Sequence, residues 1–171
     1  MEKYPYATFL DIRFPQLTVV DVPAVVGAVR DQWFNQTLCK VNDSVLRLGV
    51  MQGEYHWHKH DNDDELFFVL EGRVDVLFED AWRPLGPGQF LHVPRGTLHT
   101  FRIVTTEAAR MLSGFVPSGF ERFFRDFGQS ARLEDVEPPP VQEADIQRLY
   151  ATASQYDMEL GPVDSPHMHP A

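Results

Sequence analysis

The chain has 171 residues, 43% of them hydrophobic and 13 of them phenylalanine, which is enough to bury one sizeable core in a single domain. A formal charge of −10, from 25 acidic against 15 basic side chains with no stripe of Lys and Arg, repels phosphate backbones and argues against nucleic acid as a partner. No apolar run approaches the roughly 18 residues of a membrane helix, and a single cysteine, Cys39, with no secretory pattern at the N-terminus, points to the reducing cytoplasm.

In chain order, residues 1–31 mix extended pieces with Pro5, Pro15 and Pro23, and "PAVVGAVRDQWF" predicts a short helix starting at Pro23, in an arm that packs on the outside of the body. From Thr37 to Arg102, short runs of Val, Leu and Phe are separated by turn signals such as Asn42-Asp43, Glu71-Gly72, Pro84 to Gly88 and Pro94 to Gly96. That spacing reads as a β-sandwich or barrel. Alternation puts Val74, Val76 and Phe78 on one face of a strand and Asp75, Leu77 and Glu79 on a mostly wet one, whereas "LFFVL" and "VLRLGV" suit strands covered on both sides. Cys39, in a predicted strand with no basic partner nearby, reads as an inert buried thiol.

After Met111, "SGFERFFRDFG" offers Ser118 as N-cap, Phe120, Phe123, Phe124 and Phe127 at helical spacing, and Gly128 as a stop. Those phenylalanines serve core packing or line an apolar ligand pocket. "VEPPP" at 136–140 is a stiff linker, and "VQEADIQRLYATASQYDMEL" places Ile146, Leu149, Tyr150 and Ala153 on one stripe of a second helix that docks on the barrel. The division expected is an N-terminal arm at 1–36, a β-barrel at 37–116, a C-terminal helical extension at 117–160 and a mobile tail at 161–171. His167 and His169 fall in that tail and are assigned no metal role.

The chemistry concentrates in two segments. In "GEYHWHKHDNDDELFFVLEG", residues 53–72, a straight strand would turn His56, His58 and His60 to one side, with Glu65 returning after a turn. Two imidazoles two residues apart can converge on one ion; the competing reading is a solvated, histidine-rich loop. A second segment, "GPGQFLHVPRGTLHTF" at 86–101, ends a strand in a Pro-Gly turn and releases His99 three residues after Gly96. Three histidines and a glutamate then make a metal-ligand set, provided a barrel brings the two segments together.

These segments resemble the paired motifs of the cupin superfamily. Of the first, G(X)5HXH(X)3-4E(X)6G, the chain carries His58, His60, Glu65 and Gly72 in register, with its leading Gly53 one residue too close. Of the second, G(X)5PXG(X)2H(X)3N, it carries Gly88, Pro94, Gly96 and His99, with Ile103 in place of the final Asn. The likeness covers about residues 40–116, and the segments that follow are similar to the extension of small bacterial monocupins labelled quercetin 2,3-dioxygenase-like. It implies an all-β fold, a double-stranded β-helix or jelly-roll barrel with C-terminal helices packed outside. It also implies one divalent transition metal per chain (Fe, Mn, Ni, Cu or Zn) on His58, His60, Glu65 and His99, and a homodimer, with residues 1–31 the candidate for exchange.

Glu65, His56 and His92 are the candidate acid or base groups, although His56 reads equally as a surface histidine and His92, sharing parity with Phe90, reads better as a satisfied histidine pointing into the barrel. Phe67, Val69 and Phe101 pack the core or line a pocket, and "DNDD" at 61–64 is a solvated turn lacking the spacing of a calcium loop. Three functions follow from the resemblance: a dioxygenase acting on a flavonol or another enolisable aromatic small molecule, a Zn-dependent isomerase or polyketide cyclase, and a non-catalytic small-molecule or metal-binding module.

Overall fold

Short β-branched and aromatic runs, cut by Gly, Pro and Asp, leave little room for helix and fold into antiparallel strands. The computed structural model describes residues 7–9, 12–30, 34–117, 119–120, 122–123, 126, 143–156 and 158–160. Its strands are β1 (Ala7–Phe9), β2 (Phe34–Val41), β3 (Ser44–Met51), β4 (Gly53–Glu54), β5 (His58–His60), β6 (Asp64–Glu71), β7 (Val74–Phe78), β8 (Ala81–Leu85), β9 (Phe90–Val93), β10 (Thr100–Ile103), β11 (Ala109–Val116) and β12 (Met158–Leu160). Among the described residues the continuous α-helices are α1 (Val22–Ala28) and α2 (Glu143–Ala153).

The strands form a six-stranded sheet in the order β1-β2-β3-β11-β6-β9, a four-stranded sheet β4-β10-β7-β8 and a pair β12-β5. All pairings are antiparallel except β1 with β2. The two larger sheets face each other, and Phe67, Val69 and Met111 of one pack on Val74, Val76, Phe101 and Ile103 of the other. This is the expected all-β jelly roll. Gly72 makes the turn between β6 and β7 at φ +78°, where an added Cβ would stand 3.0 Å from the Ala109 Cα, so only glycine fits both the backbone angle and the space.

Over β2 and β3, the outer face of the six-stranded sheet is covered by the arm. Asp21 caps α1 by accepting a hydrogen bond from the Ala24 N–H, and Val25 and Val26 of that helix, with Val29 after it, pack on Phe34, Leu38, Leu48 and Val50. "VLRLGV" in β3 is therefore buried on both faces, as its composition predicts. "LFFVL" in β6 is not: it alternates, with Phe67 and Val69 inside and Leu66 and Phe68 each more than a third exposed outside. The opposite correction applies to β7. Asp75 and Leu77, predicted on a wet face, are buried. Asp75 accepts from Arg73 Nε at 2.6 Å, and Arg102, 3.6 Å from the same carboxylate, stacks on the Trp82 ring, so aliphatic stems and an indole roof that face.

One end of the barrel is closed by C-terminal residues. Phe120, Phe123, Leu149, Ala153 and Met158 form a cluster with Phe115 of β11. Arg122, Phe123 and Asp126 are helical, while Ser118, Phe124, Phe127, Gly128, the 136–140 linker and the tail histidines lie outside the described residues. The second predicted helix stops at Ala153, and a 3-10 turn (Ser154–Tyr156) follows it. Met158–Leu160, predicted within that helix, instead forms β12 and pairs with β5.

Candidate metal centre

The two histidine-bearing segments are hydrogen-bonded directly to each other. His58 and His99 form a two-way backbone bridge, with N–H to O distances of 2.9 Å in both directions, and the Gly96 N–H donates to the His60 carbonyl at 2.7 Å. Gly96, at φ +77°, makes the turn after Pro94 that brings His99 back alongside β5. On β5 the two-residue period puts His58 and His60 on one side, and both are buried. Glu65 arrives from β6, where pairing with Val93 and Phe115 fixes it on the inner face.

The four side chains meet. One ligand atom from each of His58, His60, Glu65 and His99 lies within 4.8 Å of the others. Glu65 Oε2 is 3.1 Å from His99 Nε2, 3.3 Å from His60 Nε2 and 4.0 Å from His58 Nε2. The Nδ1 atoms of His58 and His99 are 2.9 Å from the backbone carbonyls of His56 and Thr97, to which they donate, leaving Nε2 as the nitrogen aimed at the shared centre. Burial opposes ionisation of Glu65, but hydrogen bonds from His60 and His99 and the charge of those rings outweigh it and hold the carboxylate well below its usual range. His58 is pushed well below the ordinary imidazole value, first by burial and then by His99 and His60. His99 is raised despite burial, because Glu65 accepts from it and bears the opposite charge. One anionic carboxylate and three buried imidazoles, two of them oriented by backbone acceptors, make a donor set that fits a divalent transition ion once the rings have given up their protons.

The family described as "Cupin domain" (Cupin_2) matches residues 46–115, which span both histidine segments. YdbB, an uncharacterized protein of Bacillus subtilis (strain 168), is 40% identical over 80 residues, covering 46% of this chain and 71% of the relative. The chain belongs to the cupin family. Quercetin 2,3-dioxygenase of Bacillus subtilis (strain 168) is 38% identical to this cupin over 71 residues, 42% of the chain but only 21% of the enzyme. Among solved structures, a cupin-2 domain containing protein from Shewanella frigidimarina superposes with a TM-score of 0.52 at 25% identity, covering 56% of this chain and 92% of that one.

Inside the barrel of this cupin the cluster opens on a cavity with about 30 Å³ for water-sized occupants, room for about two waters. Phe67 and Phe101 line it; Val69 lies deeper in the core. His60 meets the Phe120 ring edge-on at 4.3 Å, and Phe120 and Met158 close the wall on the C-terminal side. His56 is half-buried beside Tyr150, with ring centroids 6.1 Å apart, and its Nδ1 has no hydrogen-bond partner among the described residues. Burial lowers its pKa.

His92 is on the other side of the sheet. It pairs with Leu66, not Glu65, so its parity with Phe90 is as expected but the shared face is the outer one. There, half-exposed, its Nε2 lies 3.1 Å from Asp64 Oδ2. Asp64 also accepts from the Arg95 N–H and Nε, and so belongs to β6 and not to the solvated turn at 61–64; Asp63 of that turn is buried as well. Sequence reasoning missed Asn35 and Ser113, two buried polar residues that line the cavity, and Arg47, fully buried beside Asn35. Alternation along β2, β3 and β11 was the signal available for them.

Proposed function

We propose that this cupin is a mononuclear metal-dependent dioxygenase acting on a small enolisable compound. The observation that carries this reading is a buried cluster of three imidazoles and one carboxylate opening on a mostly apolar cavity. His58, His60, Glu65 and His99 would hold the ion, leaving the cavity side for substrate. When bound, a divalent ion would supply Lewis acidity toward a substrate oxygen and, if redox-active, an electron path toward dioxygen. Glu65, whose carboxylate lines the same cavity, would leave the ion and act as the base toward the enolisable carbon. Phe67, Phe101 and Phe120 exclude water from that transfer.

Similarity to one part of a quercetin 2,3-dioxygenase supports oxygen chemistry, but a flavonol needs more room than about two waters provide. The test is elemental analysis of protein purified without a polyhistidine tag, run beside His99→Ala, followed by oxygen-electrode assays on a panel of diketones and flavonols. About one equivalent of metal, lost in the variant, with oxygen consumed alongside substrate, supports the reading. Turnover without oxygen overturns it in favour of a Lewis-acid isomerase or cyclase, and no metal in either protein removes enzyme readings altogether.

A homodimer is proposed with it, supported by Leu66, Phe68 and Phe90 standing 37%, 38% and 69% exposed on the outer face of β6 and β9. Light scattering on wild type and Phe90→Asp tests this: a dimer that becomes a monomer in the variant is expected.

A further inference from the structure

The three imidazoles of the cluster are not held alike. His58 and His99 each donate from Nδ1 to the backbone carbonyl two residues earlier, that of His56 and of Thr97, at 2.9 Å. Such a bond fixes both the plane and the tautomer of a ring. For His60 the carbonyl two residues earlier belongs to His58, and it accepts the His99 N–H at 2.9 Å in the bridge between the two segments. The backbone bridge that joins the two motifs thus uses the local acceptor that would serve the third ring. The His60 Nδ1 is buried and has no hydrogen-bond partner among the described residues.

Packing stands where that bond would be. Phe120 meets His60 edge-on with ring centroids 4.3 Å apart and 80° between the planes, and Phe115 meets it at 5.6 Å and 60°. Phe115 belongs to β11 and is fixed by the six-stranded sheet. Phe120 follows the last strand of that sheet, lines the cavity, and is itself held by Phe123, stacked at 5.2 Å, in the cluster that includes Leu149 and Met158. A buried ring nitrogen without a partner has given up water for nothing in return. Apart from Glu65 Oε2 at 3.3 Å from its Nε2, aromatic walls are what select the orientation of the His60 ring.

We infer that Phe120 is a positioning residue of the metal centre: packed against His60, it sets the plane of the one candidate ligand whose far nitrogen has no acceptor, and so makes affinity for the ion depend on the C-terminal cluster. This rests on the metal-dependent reading above and extends the site to a residue that acts on the ion only through His60. The other two rings keep their backbone acceptors whatever happens at Phe120, so His60 alone is freed when that packing is lost.

The experiment measures Co(II) affinity by competition with a chelator for wild type, Phe120→Leu and Leu149→Ala, beside thermal melts of the metal-free proteins. Phe120→Leu keeps apolar bulk but removes the flat ring against His60, whereas Leu149→Ala empties a buried position of the same cluster that is not part of the cavity wall. A crossed ranking is expected. Leu149→Ala has the lower Tm, because it leaves a void where Phe120→Leu leaves a smaller change of shape. Phe120→Leu nevertheless binds Co(II) about tenfold more weakly than wild type, the size of effect that follows loss of an outer partner of a metal-bound histidine, while Leu149→Ala keeps wild-type affinity. In proton NMR of the Co(II) proteins, one of the three paramagnetically shifted ring N–H signals moves in Phe120→Leu and the other two stay in place. Wild-type affinity in Phe120→Leu, or losses of affinity that simply follow Tm, overturn the inference while leaving the metal reading intact, as does movement of all three ring signals or of none. Failure of wild type to take up Co(II) overturns both.

Discussion

Strands β5 and β6 carry three of the four clustered side chains between them, yet they are held in opposite ways. β6 is eight residues long and lies between β11 and β9 inside the six-stranded sheet, so Glu65 is fixed by the central core. β5 has three residues, and its backbone partners are His99 on one side and Met158–Leu160 on the other. The carboxylate is built into the scaffold; the histidines are clamped by segments remote in sequence. Placement of one candidate ligand by the sheet and clamping of two others by remote segments gives a cluster whose geometry rests on the barrel and on the C-terminal residues alike.

Substitutions on the two strands separate these roles. His58→Ala on β5 has the largest expected effect, loss of retained metal with the barrel still folded, read by elemental analysis beside far-UV circular dichroism. Phe67→Ala on β6 should cost about 3–5 kcal/mol of stability in urea titrations, because it empties a site within the main core. Met158→Ala, in the clamp, should cost less, about 2 kcal/mol, while speeding metal release to a chelator more than Phe67→Ala does. The reverse ranking of release rates would show that the core, not the clamp, governs closure.

Protons give a smaller effect with a definite sign. His99 has its pKa raised above 6.5 by Glu65, so below that raised value the metal-free ring carries a proton that metal must displace. Affinity should therefore climb with pH, by about tenfold per unit for one displaced proton, and level off once His99 is neutral; competition titrations with a chelator at several pH values measure this. A flat profile would mean that Glu65 does not hold that proton. The smallest effect belongs to His92→Ala on the outer face, which should leave metal content and Tm at wild-type values.

The cluster was legible because both motifs are local: His58, His60 and Glu65 fall within eight residues, and Pro94, Gly96 and His99 form one turn. What sequence could not supply was the side of the sheet. Period-two alternation groups His92 with Phe90 and Leu66 with Phe68, but three apolar members of that set suggest an inner face, whereas the structure turns all four outward. Strand β7 fails the other way, since Asp75 is covered by Arg102 and Trp82 of neighbouring strands that no local pattern announces. Strand β12 went unseen because three residues following a helical stripe give no strand period, and its partner lies about a hundred residues upstream.

That separation orders events in time. Contacts between residues 58–60 and 158–160 close a long loop, among the slowest kinds of contact to form. The two large sheets use strands from residues 7 to 116 and can assemble beforehand. During synthesis the histidine strand would then stand beside a formed barrel, with its outer edge open, until residues 158–160 emerge. If the cluster takes an ion, that edge gives it a way in before the last step of folding.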